Sequence, residues 1–218
     1  MAETAHVVVV FSGGDPVDPR LRAQLPPDAT VVAADSGLHH AQTLGVAVDV
    51  VVGDFDSVDE ARLADAIANG ARTEQFPVDK DFTDLELALQ TAARLGATEV
   101  LVVGGSGGRL DHFLANLLLL ASPDFAALQI RALVGEARIS VVRDRTELHG
   151  EPGSIVTLLA LGGTARGVRT TGLRYPLEHE DLLPGSTRGV SNEMLDHAAT
   201  VTLEAGVVLA VQPFGGLQ

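Results

Sequence analysis

The chain of 218 residues has no cysteine and no tryptophan, a single tyrosine and a single lysine. Without cysteine there are no disulfides and no thiolate metal sites, so oxygen or imidazole must hold any metal; oxygen ligands favour Mg²⁺, Mn²⁺ or Ca²⁺. Basic residues are also scarce, 15 against 29 acidic ones, for a net charge of −14. That balance opposes a polyanionic partner such as nucleic acid unless a basic patch concentrates the charge, and no such patch is visible. Long apolar runs are missing as well. Val7–Phe11 and Leu117–Ala121 fall far short of a membrane span. Met1-Ala2-Glu3-Thr4 lacks the basic start of a signal peptide, so a cytoplasmic location is expected. With 46% hydrophobic and 20% charged residues the chain folds rather than staying disordered.

What is present has two textures. Up to about residue 120, apolar runs alternate with helical patterns. Strands are expected at Val7–Phe11, Val31–Ala34, Val48–Val52, briefly near Gln75–Phe76, and at Val100–Val103, with helices near 37–44, 59–69, 84–95 and 111–121. Continuous Val-rich strands suit a mostly parallel sheet covered on both faces, hence an N-terminal doubly wound α/β domain over 1–130. The rest, 131–218, reads as short strands and turns: Arg138–Arg143, Ile155–Leu161, Ala165–Thr170, Ala199–Glu204 and Val207–Val211. An antiparallel β-sandwich of about seven or eight strands fits that spacing. Gln129–Val134 can either close the first sheet or open the second. No repeat or low-complexity linker separates the two.

Three short signatures sit at the ends of apolar segments, where ligands bind in open α/β sheets. Gly53-Asp54-Phe55-Asp56-Ser57 follows the third strand. Carboxylates two apart on an extended segment point the same way, and together they can hold a hard cation whose other ligands are water and phosphate. Asp56-Ser57 can equally cap the helix beginning near Asp59. Asp79-Lys80-Asp81-Phe82-Thr83-Asp84 carries the lysine, which can contact phosphate or pair with Asp79 or Asp81. Thr83 and Glu86 match a capping box that would fix Asp84 while leaving its carboxylate available to a metal. Gly107-Gly108-Arg109-Leu110-Asp111-His112 follows the fifth strand. Gly108 and its neighbours permit close approach of backbone to phosphate, and Arg109 adds a bidentate donor. Asp111 can cap the helix or bind a ligand hydroxyl, and His112 can be a base or purely structural. Residues 49–84 hold ten acids against Arg62, Arg72 and Lys80, although Asp59, Glu60, Asp65 and Glu74 are read as simply solvating a helix and its flanks.

These signatures, with Ala34-Asp35-Ser36-Gly37, Thr171-Gly172-Leu173-Arg174-Tyr175-Pro176-Leu177 and Gly189-Val190-Ser191-Asn192-Glu193, resemble in order the thiamine pyrophosphokinase family over most of the chain. The resemblance implies transfer of the pyrophosphoryl group of ATP to the hydroxyl of thiamine, giving thiamine diphosphate and AMP. It implies a nucleotide-binding α/β domain, a thiamine-binding β-sandwich domain, and a homodimer with sites shared between subunits. By the same resemblance Asp54, Asp56 and Asp84 carry Mg²⁺ (or Mn²⁺) with Asp81 at or beside the metal. Lys80, Gly108, Arg109, Asp111 and His112 would serve ATP. Asp35 would touch substrate or a metal-bound water, and Tyr175, Ser191 and Asn192 would bind thiamine. Two positions depart from the pattern: Ser36 stands where glycine is usual, and Tyr175 where some members have tryptophan. A pyrophosphokinase for another heterocyclic alcohol, or a nucleotide sensor without turnover, would share the nucleotide half.

Overall fold

A computed structural model describes residues 5–79 and 81–214. The chain divides into two compact units, 1–119 with 127–135, and 120–126 with 136–218.

The first unit is built on six parallel strands: β1 (Val7–Ser12), β2 (Thr30–Ala34), β3 (Val50–Gly53), β4 (Arg72–Gln75), β5 (Glu99–Gly104) and β6 (Gln129–Val134). Their order is β6-β5-β1-β2-β3-β4, every neighbouring pair being parallel. Gln129–Val134 thus pairs with β5, and this strand spans the expected boundary at 130/131. Valines in β1 to β3 and β5 are buried on both pleat faces, which explains why these strands read as unbroken apolar runs. Among the described residues four α-helices lie in the connections: α1 (Gly37–Thr43), α2 (Glu60–Ala68), α3 (Asp84–Arg94) and α4 (Leu110–Leu120). α1 and α2 bury Leu38 and Ala66 with Ala33 and Val51 on one face, while α3 packs on β1, β2 and β3. The chain runs from β1 toward β4 on one side and then returns to β5 on the other. The carboxyl ends of β1 and β5 therefore flank a topological switch point, the place where such sheets open a crevice.

Among the described residues the second unit holds eight strands: β7 (Ala137–Val142), β8 (Arg145–His149), β9 (Ile155–Ala160), β10 (Ala165–Thr171), β11 (Glu178–Leu182), β12 (Asn192–Glu193), β13 (Ala198–Thr202) and β14 (Val208–Pro213). They form two antiparallel layers, β12-β9-β14-β7 and β11-β10-β13-β8. Val142, Leu158 and Val208 from one layer and Leu148, Val168 and Val201 from the other share one core, the arrangement of a β-sandwich. Among the described residues no helix is long and apolar enough to cross a membrane.

Candidate active site

A crevice of about 610 Å³ opens at the carboxyl ends of β1, β2, β3 and β5, within the size range of ligand pockets. One side is acidic. Asp35 follows β2 and is level with Gly53, because Ala34 pairs with Val52 and the Asp35 N–H donates to the Val52 carbonyl at 2.8 Å. Its backbone has φ 47°, a left-handed conformation that Asp and Asn tolerate better than most residues. The Ser57 hydroxyl donates to Asp35 Oδ2, but buried Oδ1 has no hydrogen-bond partner. The Asp56 N–H donates to Asp54 Oδ1 at 3.2 Å, a local turn that directs both side chains together. Carboxylate oxygens of Asp35, Asp54 and Asp56 lie within 4.8 Å of one another.

Gly53 explains how a fourth acid reaches this place. With φ +150°, a Cβ there would lie 3.1 Å from Asp35 Cβ and 3.3 Å from Asp84 Oδ1. A side chain there would press on both acids by a few tenths of an ångström and would be strained at this φ, so glycine suits their approach from either side. Asp84 opens α3, whose N-cap Thr83 accepts from the Glu86 N–H at 3.2 Å. The expected trio of Asp54, Asp56 and Asp84 is thus regrouped: Asp35 joins the first two, and Asp84 stands across Gly53. Asp59, not Asp56 or Ser57, caps α2 by accepting from the Arg62 N–H. Asp81 and Phe82 line the same crevice; Lys80 lies outside the described residues.

The other side is built from backbone. The Gly105 N–H donates to the Gly13 carbonyl at 2.9 Å and the Asp15 N–H to the Ser106 carbonyl at 2.7 Å, so the loops after β1 and β5 are joined. Gly107, Gly108, Arg109 and His112 line this side. Arg109 grips Asp111 through Nε at 3.1 Å and through Nη2, and the guanidinium holds the Asp111 carboxyl down to about 2. Asp111 therefore meets Arg109 in the first turn of α4. Asn116 also lines the crevice, one turn beyond His112, and was not anticipated. Its only mark in the sequence is polarity within the apolar run Leu114–Leu120.

Within the second unit, Tyr175, Ser191 and Asn192 come together. Asn192 is buried and accepts from the Tyr175 N–H at 3.0 Å while donating to the Tyr175 carbonyl at 2.7 Å. Its amide is spent on the main chain, whereas the Tyr175 side chain stands 55% exposed. Ser191 has φ 57° and donates its N–H to Thr157 Oγ1 at 3.1 Å. The residues placed by resemblance around thiamine are thus one exposed ring, one exposed hydroxyl residue and one amide that holds the ring's backbone.

The model of the thiamin pyrophosphokinase catalytic domain matches residues 23–132, and that of the thiamin pyrophosphokinase vitamin B1 binding domain matches 139–208. Thiamine pyrophosphokinase of Bacillus subtilis (strain 168) is 25% identical over 183 residues, covering 83% of this chain and 86% of that protein. Thiamine pyrophosphokinase 1 of Oryza sativa subsp. japonica is 27% identical over 175 residues, 75% of this chain and 65% of that one. Among solved structures, the Bacillus subtilis enzyme superposes with a TM-score of 0.83 at 24% identity, covering 95% and 98% of the two chains. A thiamin pyrophosphokinase family protein of Enterococcus faecalis gives 0.76 at 26%, over 96% and 99%. The two matched domains follow one another across the same crevice-bearing unit and β-sandwich unit described above, and the chain belongs to the thiamin pyrophosphokinase family.

Proposed function

We propose that this protein transfers the terminal pyrophosphoryl group of ATP to the hydroxyl oxygen of thiamine. The alcohol oxygen attacks the β phosphorus, the bond from that phosphorus to the α-phosphate oxygen breaks, and AMP leaves while the alcohol proton is lost. The observation that carries the proposal is the meeting of an acid cluster and two joined glycine loops in one crevice at the switch point. Catalysis of this kind is mostly positioning and charge neutralisation.

The donor set fits a hard divalent cation: all oxygen, three carboxylates converging, and one buried oxygen lacking any partner. Asp35, Asp54 and Asp56 would hold Mg²⁺, with Asp84 and Asp81 facing it or its waters. When bound, the cation supplies charge neutralisation at the triphosphate oxygens. The loops at 13–15 and 104–108 cradle the phosphates, Arg109 donates to them, and Asp111 orients Arg109 in advance. Thiamine is cationic and aromatic, so the exposed Tyr175 ring suits it. Asn192 then serves thiamine by holding Tyr175, and Ser191 offers the hydroxyl.

A homodimer is part of the same proposal. Leu110, Leu114 and Leu118 are 69%, 50% and 59% exposed along one stripe of α4, and a second copy would cover them. Paired Leu114→Glu and Leu118→Glu should yield monomers in sedimentation.

Incubation with ATP, Mg²⁺ and thiamine tests the chemistry. AMP and thiamine diphosphate in equal amounts are expected. Formation of ADP would place attack at the γ phosphorus and refute the proposal. AMP appearing only with another alcohol, or tight nucleotide binding without turnover, would reassign the substrate or the activity.

A further inference from the structure

His40 lies in α1 and is buried, at 7% exposure. Its Nδ1 is 2.9 Å from the carbonyl oxygen of Ser12, the last residue of β1. A carbonyl can only accept, so this contact makes Nδ1 the donor. Burial lowers the pKa of the ring, against the pull of the Ser12 and Gly14 carbonyls, and the ring stays neutral near neutral pH. Across the switch point, Gly104 ends β5 with φ +93°. A Cβ there would lie 2.3 Å from the Ser12 oxygen and 2.9 Å from His40 Nδ1. Imidazole, carbonyl and Gly104 are therefore packed with no spare room. Just beyond them come the two bonds that join the loops, Gly105 N–H to Gly13 O and Asp15 N–H to Ser106 O. His40 is not among the residues lining the crevice; it stands behind the wall to which both loops belong.

We infer that His40 is a positioning residue for phosphate binding: by tying the Ser12 carbonyl, it sets the Gly13–Asp15 turn and, through the two loop-to-loop bonds, the Gly104–Gly108 turn. The inference rests on the proposal that this crevice holds the triphosphate. Glycine loops bind phosphate by close backbone approach, so their placement matters more than their flexibility. A shift of about 1 Å in a binding element can cost on the order of a hundredfold in rate.

Three variants separate the bond from the bulk of the ring. His40→Asn keeps a donor near the Nδ1 position, His40→Gln moves it toward the Nε2 position, and His40→Leu removes it. Each is measured for Mg·ATP affinity by calorimetry, for KM of each substrate, and for thermal unfolding. We expect the leucine and glutamine variants to lose at least about tenfold in Mg·ATP affinity with the thiamine KM within about twofold, and asparagine to recover most of the loss. Equal losses in all three folded variants would mean that the ring acts by packing alone, and would overturn the inference. Unchanged affinity in His40→Leu would do the same. If that variant does not fold, the contrast between asparagine and glutamine decides. The unmutated protein serves as the control: if it binds no Mg·ATP, the triphosphate proposal fails and takes this inference with it. If it binds and every variant matches it, only the role of His40 fails.

Discussion

Replacing Asp35 by asparagine is expected to move stability in opposite directions with and without Mg²⁺. In the metal-free protein, oxygens of Asp35, Asp54 and Asp56 converge within 4.8 Å. Two like charges at that separation repel by about 3.5 kcal/mol at an effective dielectric of 20 and by about 0.9 kcal/mol in bulk water. Asp54 is half-buried and Asp56 exposed, so solvent screens both pairs. A net gain of about 1–3 kcal/mol in the metal-free variant follows. Asparagine suits this purpose because it tolerates the φ of 47°, and its carbonyl can still accept from Ser57. Its amide would take the place of Oδ1, which now lacks a partner. In saturating Mg²⁺ the order should reverse. A ligand at a hundred times its Kd stabilises by about 2.7 kcal/mol, and the variant should lose most of that increment. Urea unfolding of both proteins, in chelator and in excess Mg²⁺, measures all four values. A variant that is less stable in chelator, or that keeps the full Mg²⁺ increment, would remove Asp35 from the cation site.

A Cβ at Gly13 would meet Ser36 Oγ at 2.2 Å but Ser36 Cβ only at 3.5 Å; Gly13→Ala should therefore cost about 1–2 kcal/mol alone and little in a Ser36→Gly background. A double-mutant cycle in urea checks this, and strict additivity would refute it. Thr83→Ala removes the cap on the Glu86 N–H and should lower stability by about 1 kcal/mol, while Thr83→Ser should retain most of it. The third expectation concerns pH. His40 has its pKa lowered by burial, so between that value and the unfolded value the unfolded chain binds the extra proton. Stability from this group is complete above the unfolded pKa and is lost as pH falls through the window below it. In His40→Asn that part of the slope should vanish from unfolding curves recorded between about pH 5 and 7.5; an unchanged slope would show that the ring is not kept neutral.

Much of the first unit was legible because its strands announce themselves. Val7–Phe11 and Val100–Val103 are apolar on both faces, and burial of both faces by helices leaves that mark. Edge strands hide for the opposite reason. Glu178-His179-Glu180-Asp181 in β11 and Arg145–His149 in β8 carry charges that discourage pairing with other chains, and those charges resemble loop. The acid cluster was half legible. Asp54 and Asp56 are neighbours in sequence, but Asp35 joins them only through the parallel register of Ala34 with Val52. Asp84 was placed at the metal by resemblance; its cap sets where α3 begins, and its carboxylate lies on the far side of Gly53 from Asp35. Asn192 entered the thiamine site by resemblance alone; the antiparallel approach of Leu173 to Met194 brings Tyr175 within its reach, a contact that no local pattern of the sequence marks. His40 carried no signal, since a histidine inside a helical pattern shows neither its burial nor the carbonyl opposite.

The charge of the crevice explains why neither half of it suffices. Its described lining includes five aspartates, Asp35, Asp54, Asp56, Asp81 and Asp84, and one arginine, Arg109, which is already paired with Asp111. On a chain of net charge −14, a bare triphosphate approaching this surface would meet like charge at short range. Proposed phosphate binding therefore requires cations between the two sets of oxygens, and the glycine loops contribute shape more than charge. The β2 and β3 ends set where positive charge can be held. The β1 and β5 ends set where the phosphate chain can lie against backbone. Because both are anchored to adjacent strands of one parallel sheet, their separation is fixed by strand register, and a shift on either side would misplace phosphate relative to cation.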